Sequence, residues 1–215
     1  MELISITQAR VVALIQVQQW DPLGKALTLE ALAKLGNRYI FTKTPTRLEE
    51  IDFQKGLELQ EGRLGEIRID RIIIYMNGIV IDTRSSTDDS EKVLEDIIAL
   101  AHEAFGAVIR PARQTFASQL MFRSDMHLAA LNPVLPKIAN LLTQRTSADM
   151  KHPFTFEPTA VLFNVDTAQA KTPPPMLSIE RRVDVPFDEN TYFSQAPLPT
   201  AEHIEILKAF EAALR

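Results

Sequence analysis

The 215-residue chain contains no cysteine, which excludes disulfides, thiolate metal ligands and cysteine nucleophiles and fits a reducing compartment. Its seven glycines form no Gly-x-Gly-x-x-Gly fingerprint, no phosphate-binding P-loop and no Gly-x-Ser-x-Gly nucleophile elbow. The four histidines (His102, His127, His152 and His203) stand in no metal-binding spacing, and His102 and His203 read as residues of helix surfaces or starts. No basic run is longer than Arg181-Arg182, so the phosphate contacts that dominate nucleic-acid affinity have no obvious source. No apolar run approaches the roughly 20 residues that cross a bilayer. The longest, Ile72 to Ile81, is cut by Asn77-Gly78. The first residues, MELISITQARVVALIQ, lack the positive start and small-residue cleavage site of a secretory signal, and the expectation is a cytoplasmic protein.

What is present is a composition suited to a packed core, 46% hydrophobic and 24% charged. The net charge of −5 falls entirely on residues 1–106, with 12 Lys/Arg against 17 Asp/Glu; residues 107–215 hold 11 of each.

Periodicity gives the order of elements. Val11, Val12, Leu14, Ile15 and Val17 form a strand with both faces partly apolar, broken at Trp20-Asp21-Pro22, where Trp20 reads as an anchor at the core edge. Leu27, Ala31, Leu32 and Leu35 have helical spacing, stopped at Gly36-Asn37, and Tyr39–Thr42 reads as a short strand. Two β-branched runs around Asn77-Gly78 predict a hairpin whose turn residues take positive φ, with a bulge at Asp70-Arg71. Asp88 and Glu91 make a candidate capping box for a helix that buries Val93, Leu94, Ile97 and Phe105 and stops at Gly106. In the second half, Ala112–Arg123 is a long strand, and Asn132-Pro133 starts a helix whose expected buried stripe is Ile138, Leu141 and Leu142. Ala160–Val165 and Met176–Val185 read as strands joined by a Pro-rich loop. A polar and aromatic connector, residues 186–199, leads to a last helix at Thr200 with Ile204, Leu207, Phe210 and Leu214 inward.

This order runs twice, over 1–106 and over 107–215, with Ala9-Arg10 answered by Ala112-Arg113. The expected class is α+β: pseudo-duplicated β-α-β(n)-α halves, as two domains or one, forming a curved and mainly antiparallel sheet with helices on one face. In element order the chain resembles the TATA-box-binding-protein fold. That resemblance implies a saddle of two halves, and in that family the saddle wedges Phe residues into a DNA minor groove. No Phe pairs stand at matched positions in the two halves here, and a fold carries no activity by itself.

Three function classes follow. The leading expectation is a non-catalytic binding or assembly module, without cofactor, that meets a protein partner or its own copies through a sheet face or edge. Its candidate residues are Arg181, Arg182, Phe187, Tyr192 and Phe193: arginines fit carboxylates or phosphates, and aromatics among polar neighbours resemble interface hot spots. The bland alternative packs those aromatics under the sheet and pairs those charges across it. A second class is a divalent-metal phosphodiesterase or nuclease using strand-end carboxylates, with Asp82, Asp166, Glu180 and Asp184 as candidate metal ligands. A nucleic-acid saddle is the third, disfavoured by charge. Membrane association is not expected.

Overall fold

A computed structural model describes residues 1–15, 29–45, 50–125, 127–166, 168 and 172–214. The segment around Trp20, the start of the first helix and part of the Pro-rich loop lie outside them. The architecture is α+β. In order come β1 (Glu2–Ile15), α1 (Leu29–Tyr39), β2 (Leu57–Leu64), β3 (Ile67–Tyr75), β4 (Gly78–Thr83) and α2 (Thr87–Phe105). There follow β5 (Pro111–Arg123), α3 (Val134–Met150), β6 (Ala160–Phe163), β7 (Leu177–Arg181), β8 (Thr191–Ala196) and α4 (Thr200–Ala213). Short 3-10 turns occupy Leu128–Leu131 and Phe187–Glu189. The eight strands lie in the sheet order β2-β3-β4-β1-β5-β8-β7-β6, and every pairing whose register is described is antiparallel.

The chain divides into two compact units. One unit holds residues 6–119 and 197–202. In it the strands alternate, and their inward residues (Val11, Ala13 and Ile15; Ile79 and Ile81; Ile72 and Ile74; Leu57) bury against Val93, Leu94 and Ile97 of α2. The half-buried Leu32 and Leu35 of α1 close the same core. The β3–β4 hairpin forms with the predicted bulge between Ile69 and Arg71. Its turn differs from expectation. Tyr75 pairs with Gly78, so the turn residues are Met76 and Asn77, and neither has positive φ. Gly78 serves close approach instead, because a Cβ there would lie 2.8 Å from the Ala13 carbonyl oxygen.

The α2 cap is also displaced from its predicted place. Ser86, not Asp88, is the N-cap, its hydroxyl accepting from Asp89 N at 3.1 Å, and Gly106 ends the helix at φ 67 as expected. Helix α1 runs through Gly36-Asn37 to Tyr39 and turns at Ile40, φ 51, because Tyr39 is fully buried and its hydroxyl donates to Asp96 at 2.6 Å. At the first residue of two helices, Thr87 and Thr200 exchange hydrogen bonds: each backbone N donates to the other's hydroxyl, at 3.1 and 3.0 Å.

The other unit holds residues 1–5, 120–196 and 203–215, described to 214. Its buried apolar residues include Leu120, Phe122, Leu128, Ile179, Tyr192 and Leu207. Polar groups are interleaved among them: Ser178, Arg181, Asn190, Ser194, His203 and Glu211 are all buried. Glu211 accepts from the Met1 amino group and from the Ser124 hydroxyl. The connector expected at 186–199 contains a strand, β8, whose Tyr192 and Ser194 point inward. The periodicity was masked there because small and polar residues (Thr191, Ser194, Ala196) share the buried positions.

Candidate functional site

Strand geometry sends Arg181 and Arg182 to opposite faces, and the structure gives them different fates. Arg181 is 6% exposed. One end of its guanidinium donates to the Phe187 carbonyl; Nη2 lies 3.1 Å from Glu157 Oε2, 3.0 Å from Asn190 Oδ1 and 3.1 Å from His127 Nδ1. The Phe187 and Tyr192 rings flank it at 5.0 and 5.4 Å, and Tyr192 stacks on Phe122 at 5.4 Å. Burial raises the Tyr192 phenol above its ordinary value, partly offset by the neighbouring Arg181 charge.

Of the five binding residues expected from the sequence, Arg181, Phe187 and Tyr192 therefore converge, held by the 3-10 turn at Phe187–Glu189 and by Asn190 in the left-handed conformation (φ 46). They converge inward. Carbonyl, carboxylate and aromatic partners surround the Arg181 guanidinium, while its Nε is buried without a hydrogen-bond partner among the described residues. Arg182 pairs with Asp184 at 2.7 Å, and Phe193, half-buried, lies opposite Glu180 on the neighbouring strand.

The four carboxylates proposed as metal ligands have separate surroundings. Asp82 is 2% exposed and accepts from Arg10 Nε at 2.6 Å and Nη2 at 2.8 Å, from Arg71 Nε at 2.5 Å and from Gln8 Nε2 at 3.3 Å. Burial alone would raise its pKa; the hydrogen bonds and charges of the two arginines outweigh it and hold the carboxyl below its ordinary value. It floors an open cleft of about 300 Å³ rimmed by Glu58, Gln60, Arg68, Asp70 and Arg84. Asp166 caps its own turn, accepting from Ala168 N at 3.0 Å. The hydrogen bond from Arg182 is the main cause of the lowered pKa of Asp184, and Glu180 is exposed on β7. Among the described residues no group of three or more His, Cys, Asp or Glu side chains is placed to hold a metal ion.

One pair resembles a nucleophile with its base. Ser194 Oγ lies 2.8 Å from His203 Nε2. Both residues are fully buried, the serine hydroxyl lies 2.6 Å from the Ser178 carbonyl oxygen, and burial pushes the His203 pKa down to about 4. His203 was expected on a helix surface or at a helix start; it lies in the first turn of α4 but faces inward, and the buried line of that helix is His203, Leu207 and Glu211 at four-residue spacing.

Helix α3 departs furthest from the sequence reading. Its predicted buried stripe faces outward: Ile138, Leu141 and Leu142 are 51%, 50% and 46% exposed, Val134 beside them is 51% exposed, and Ala139 is its one buried residue. The opposite, inward side carries Leu135, Ala139, Thr143, Thr146 and Ser147. The cause is hydrogen bonding. Thr143 Oγ1 accepts from Phe156 N at 3.0 Å and Ser147 Oγ from Phe154 N at 2.9 Å, so the hydroxyl side of the helix serves the segment that follows it. Of the twenty large hydrophobic residues exposed among the described ones, sixteen belong to this unit. That concentration departs from the scattered exposure ordinary on protein surfaces.

No protein-family model matches the chain, and no curated protein matches it either.

Proposed function

We propose that this protein is a non-catalytic binding or assembly module that engages protein through the unit containing α3 and β6 to β8. The observation carrying this reading is helix α3, which turns an apolar stripe to solvent and its hydroxyl-bearing side inward. A half-open aliphatic stripe on a helix is what an apolar partner surface covers. The enzyme alternative has weaker support, since Asp82 and Asp184 are engaged by arginines, Asp166 by its own backbone, and among the described residues no carboxylate cluster is placed to hold a metal ion.

The same proposal includes descent from a doubled half, residues 1–106 and 107–215, in the manner of the TATA-box-binding-protein fold. Both halves run β-α-β-β-β-α, and the strand order β2-β3-β4-β1 is answered by β6-β7-β8-β5. Matching bonds support the correspondence: Ile15 N donates to Asn77 O at 2.9 Å, and Ser124 N to Asn190 O at 3.1 Å. The steps from Asn77 to Asn190 and from Thr87 to Thr200 are both 113 residues, so the threonine exchange joins equivalent positions. On this alignment Arg10 and Arg113 are not counterparts, and the halves have diverged in what they expose.

Affinity capture from the native host, with wild type and with Ile138→Glu/Leu142→Glu, tests the functional reading. The reading predicts a protein, this chain itself included, that wild type retains and the double variant loses at least tenfold while both give the same circular dichroism. Equal recovery by the two would remove it.

A further inference from the structure

Independently of helix α3, we propose that the outer face of strands β1 to β4 binds the phosphate group of a small molecule, with Arg68 as its anchor and Arg63 and Arg71 beside it. The strand register builds the floor. Gln60 lies opposite Arg71, Arg71 opposite Asp82 and Asp82 opposite Arg10, so a line of polar side chains crosses four strands. It lies on the face turned away from the core residues Ile72 and Ile81. Arg68 and Arg84 rim the cleft of about 300 Å³ above it, at the lower end of the volumes of small-molecule sites.

Pairing decides the sign of the ligand. Each carboxylate of the cleft already has a basic partner. Asp70 meets Arg84 at 2.7 Å, Glu61 meets Lys43 at 2.7 Å, Glu58 lies 3.6 Å from Arg71, and Asp82 is shared by Arg10 and Arg71. Arg68 is exposed and makes no hydrogen bond or ion pair among the described residues. Glu61, which feels its charge, is held mainly by hydrogen bonds from Lys43 and Thr42. Arg68 also stands directly opposite Arg63 in the β2–β3 register, and both line an adjoining hollow of about 480 Å³. Like charges directly opposite are destabilising. The partner of Arg63, Glu66, lies at 3.4 Å with its side chain 99% exposed, so it offsets little of that repulsion. An anion between the two guanidiniums removes it. A carboxylate fills one guanidinium fork with its two coplanar oxygens, whereas the terminal oxygens of a phosphate can meet several. A nucleic-acid backbone fits less well, because residues 1–106 carry the whole net charge of −5.

Nitrogen-15 NMR of the full chain, titrated with inorganic phosphate at constant ionic strength, tests the site. Amide shifts of residues 60–71 and 82–84 are expected to saturate with a Kd on the order of 1 mM. Arg68→Gln should weaken binding about tenfold, the equivalent of one charge-assisted hydrogen bond. Arg110→Gln, an exposed arginine ahead of β5, should leave it unchanged. Without phosphate, R68Q should melt no lower than wild type, which separates lost binding from lost folding. Shifts that stay linear, or equal affinity in R68Q, would overturn the site, and a lower melting temperature of R68Q would contradict the repulsion on which it rests. Saturation by succinate but not by phosphate would overturn the choice of phosphate.

Discussion

At the scale of single residues, two buried titratable groups with shifted pKa values, Asp82 and His203, contribute to the response to acid. His203 has a folded pKa of about 4 against 6.5 for the ordinary imidazole, because burial disfavours its charged form. The folded state thus binds fewer protons, and the stability this represents is whole above pH 6.5 and is lost as pH falls toward 4. A shift of this size corresponds to about 3 kcal/mol. Asp82, held low by its arginines, acts in the same direction in a lower window: its contribution is present above the ordinary carboxyl range and lost as pH falls through its folded value. Urea midpoints are expected to drop between pH 6.5 and 4, and His203→Gln should flatten that segment while leaving the further drop below pH 4. An unchanged slope in the variant would assign the acid response to other groups. Neither residue was legible in this role from sequence. Asp82 read as a strand-end carboxylate and candidate metal ligand, and its partners Arg10 and Arg71 arrive on neighbouring strands, a register that no local pattern encodes.

At the scale of elements, the threonine exchange at the starts of α2 and α4 is a specific stabilising device. Thr87 is fully buried and Thr200 3% exposed, so removing either hydroxyl leaves the other's backbone N–H without its acceptor. Thr87→Ala and Thr200→Ala should each cost about 1–2 kcal/mol in chemical denaturation. The double variant should cost less than the sum, since either loss loosens the remaining bond. Full additivity would mean that the two bonds act independently. Elements with strong periodicity were legible: β1, the β3–β4 hairpin with its bulge, α2 and its Gly106 stop. The Tyr39–Thr42 strand failed because the helix continues through Gly36-Asn37 to Tyr39. Two other failures share one cause, an inward face made of small or polar side chains. Thr191, Ser194 and Ala196 concealed β8, and Thr143, Thr146 and Ser147 reversed the orientation of α3. Apolar spacing identified α3 as a helix; it could not say whether the apolar side met this chain or another.

At the scale of the whole molecule, the α+β class and antiparallel sheet could be read from the order of elements. The convergence of Arg181, Phe187 and Tyr192 was foreseeable in membership but not in direction, because the acceptors that draw Arg181 inward come from distant sequence (His127, Glu157 and Asn190). The two units contrast in what they leave open. The unit of β2 to β4 buries most of its aliphatics and opens a charged cleft; the unit of β6 to β8 interleaves buried polar groups with Leu120, Leu128, Ile179 and Leu207 and holds sixteen of the twenty large hydrophobics exposed among the described residues. The proposed binding or assembly role offers a reason for that contrast: a partner covering α3. The most direct measurement is amide hydrogen exchange of wild type alone and with the protein it retains in affinity capture. The account predicts that amides of residues 134–145 exchange at least threefold more slowly in the complex while those of α2 are unchanged. Identical α3 rates in both states, or protection that appears only elsewhere, would contradict it.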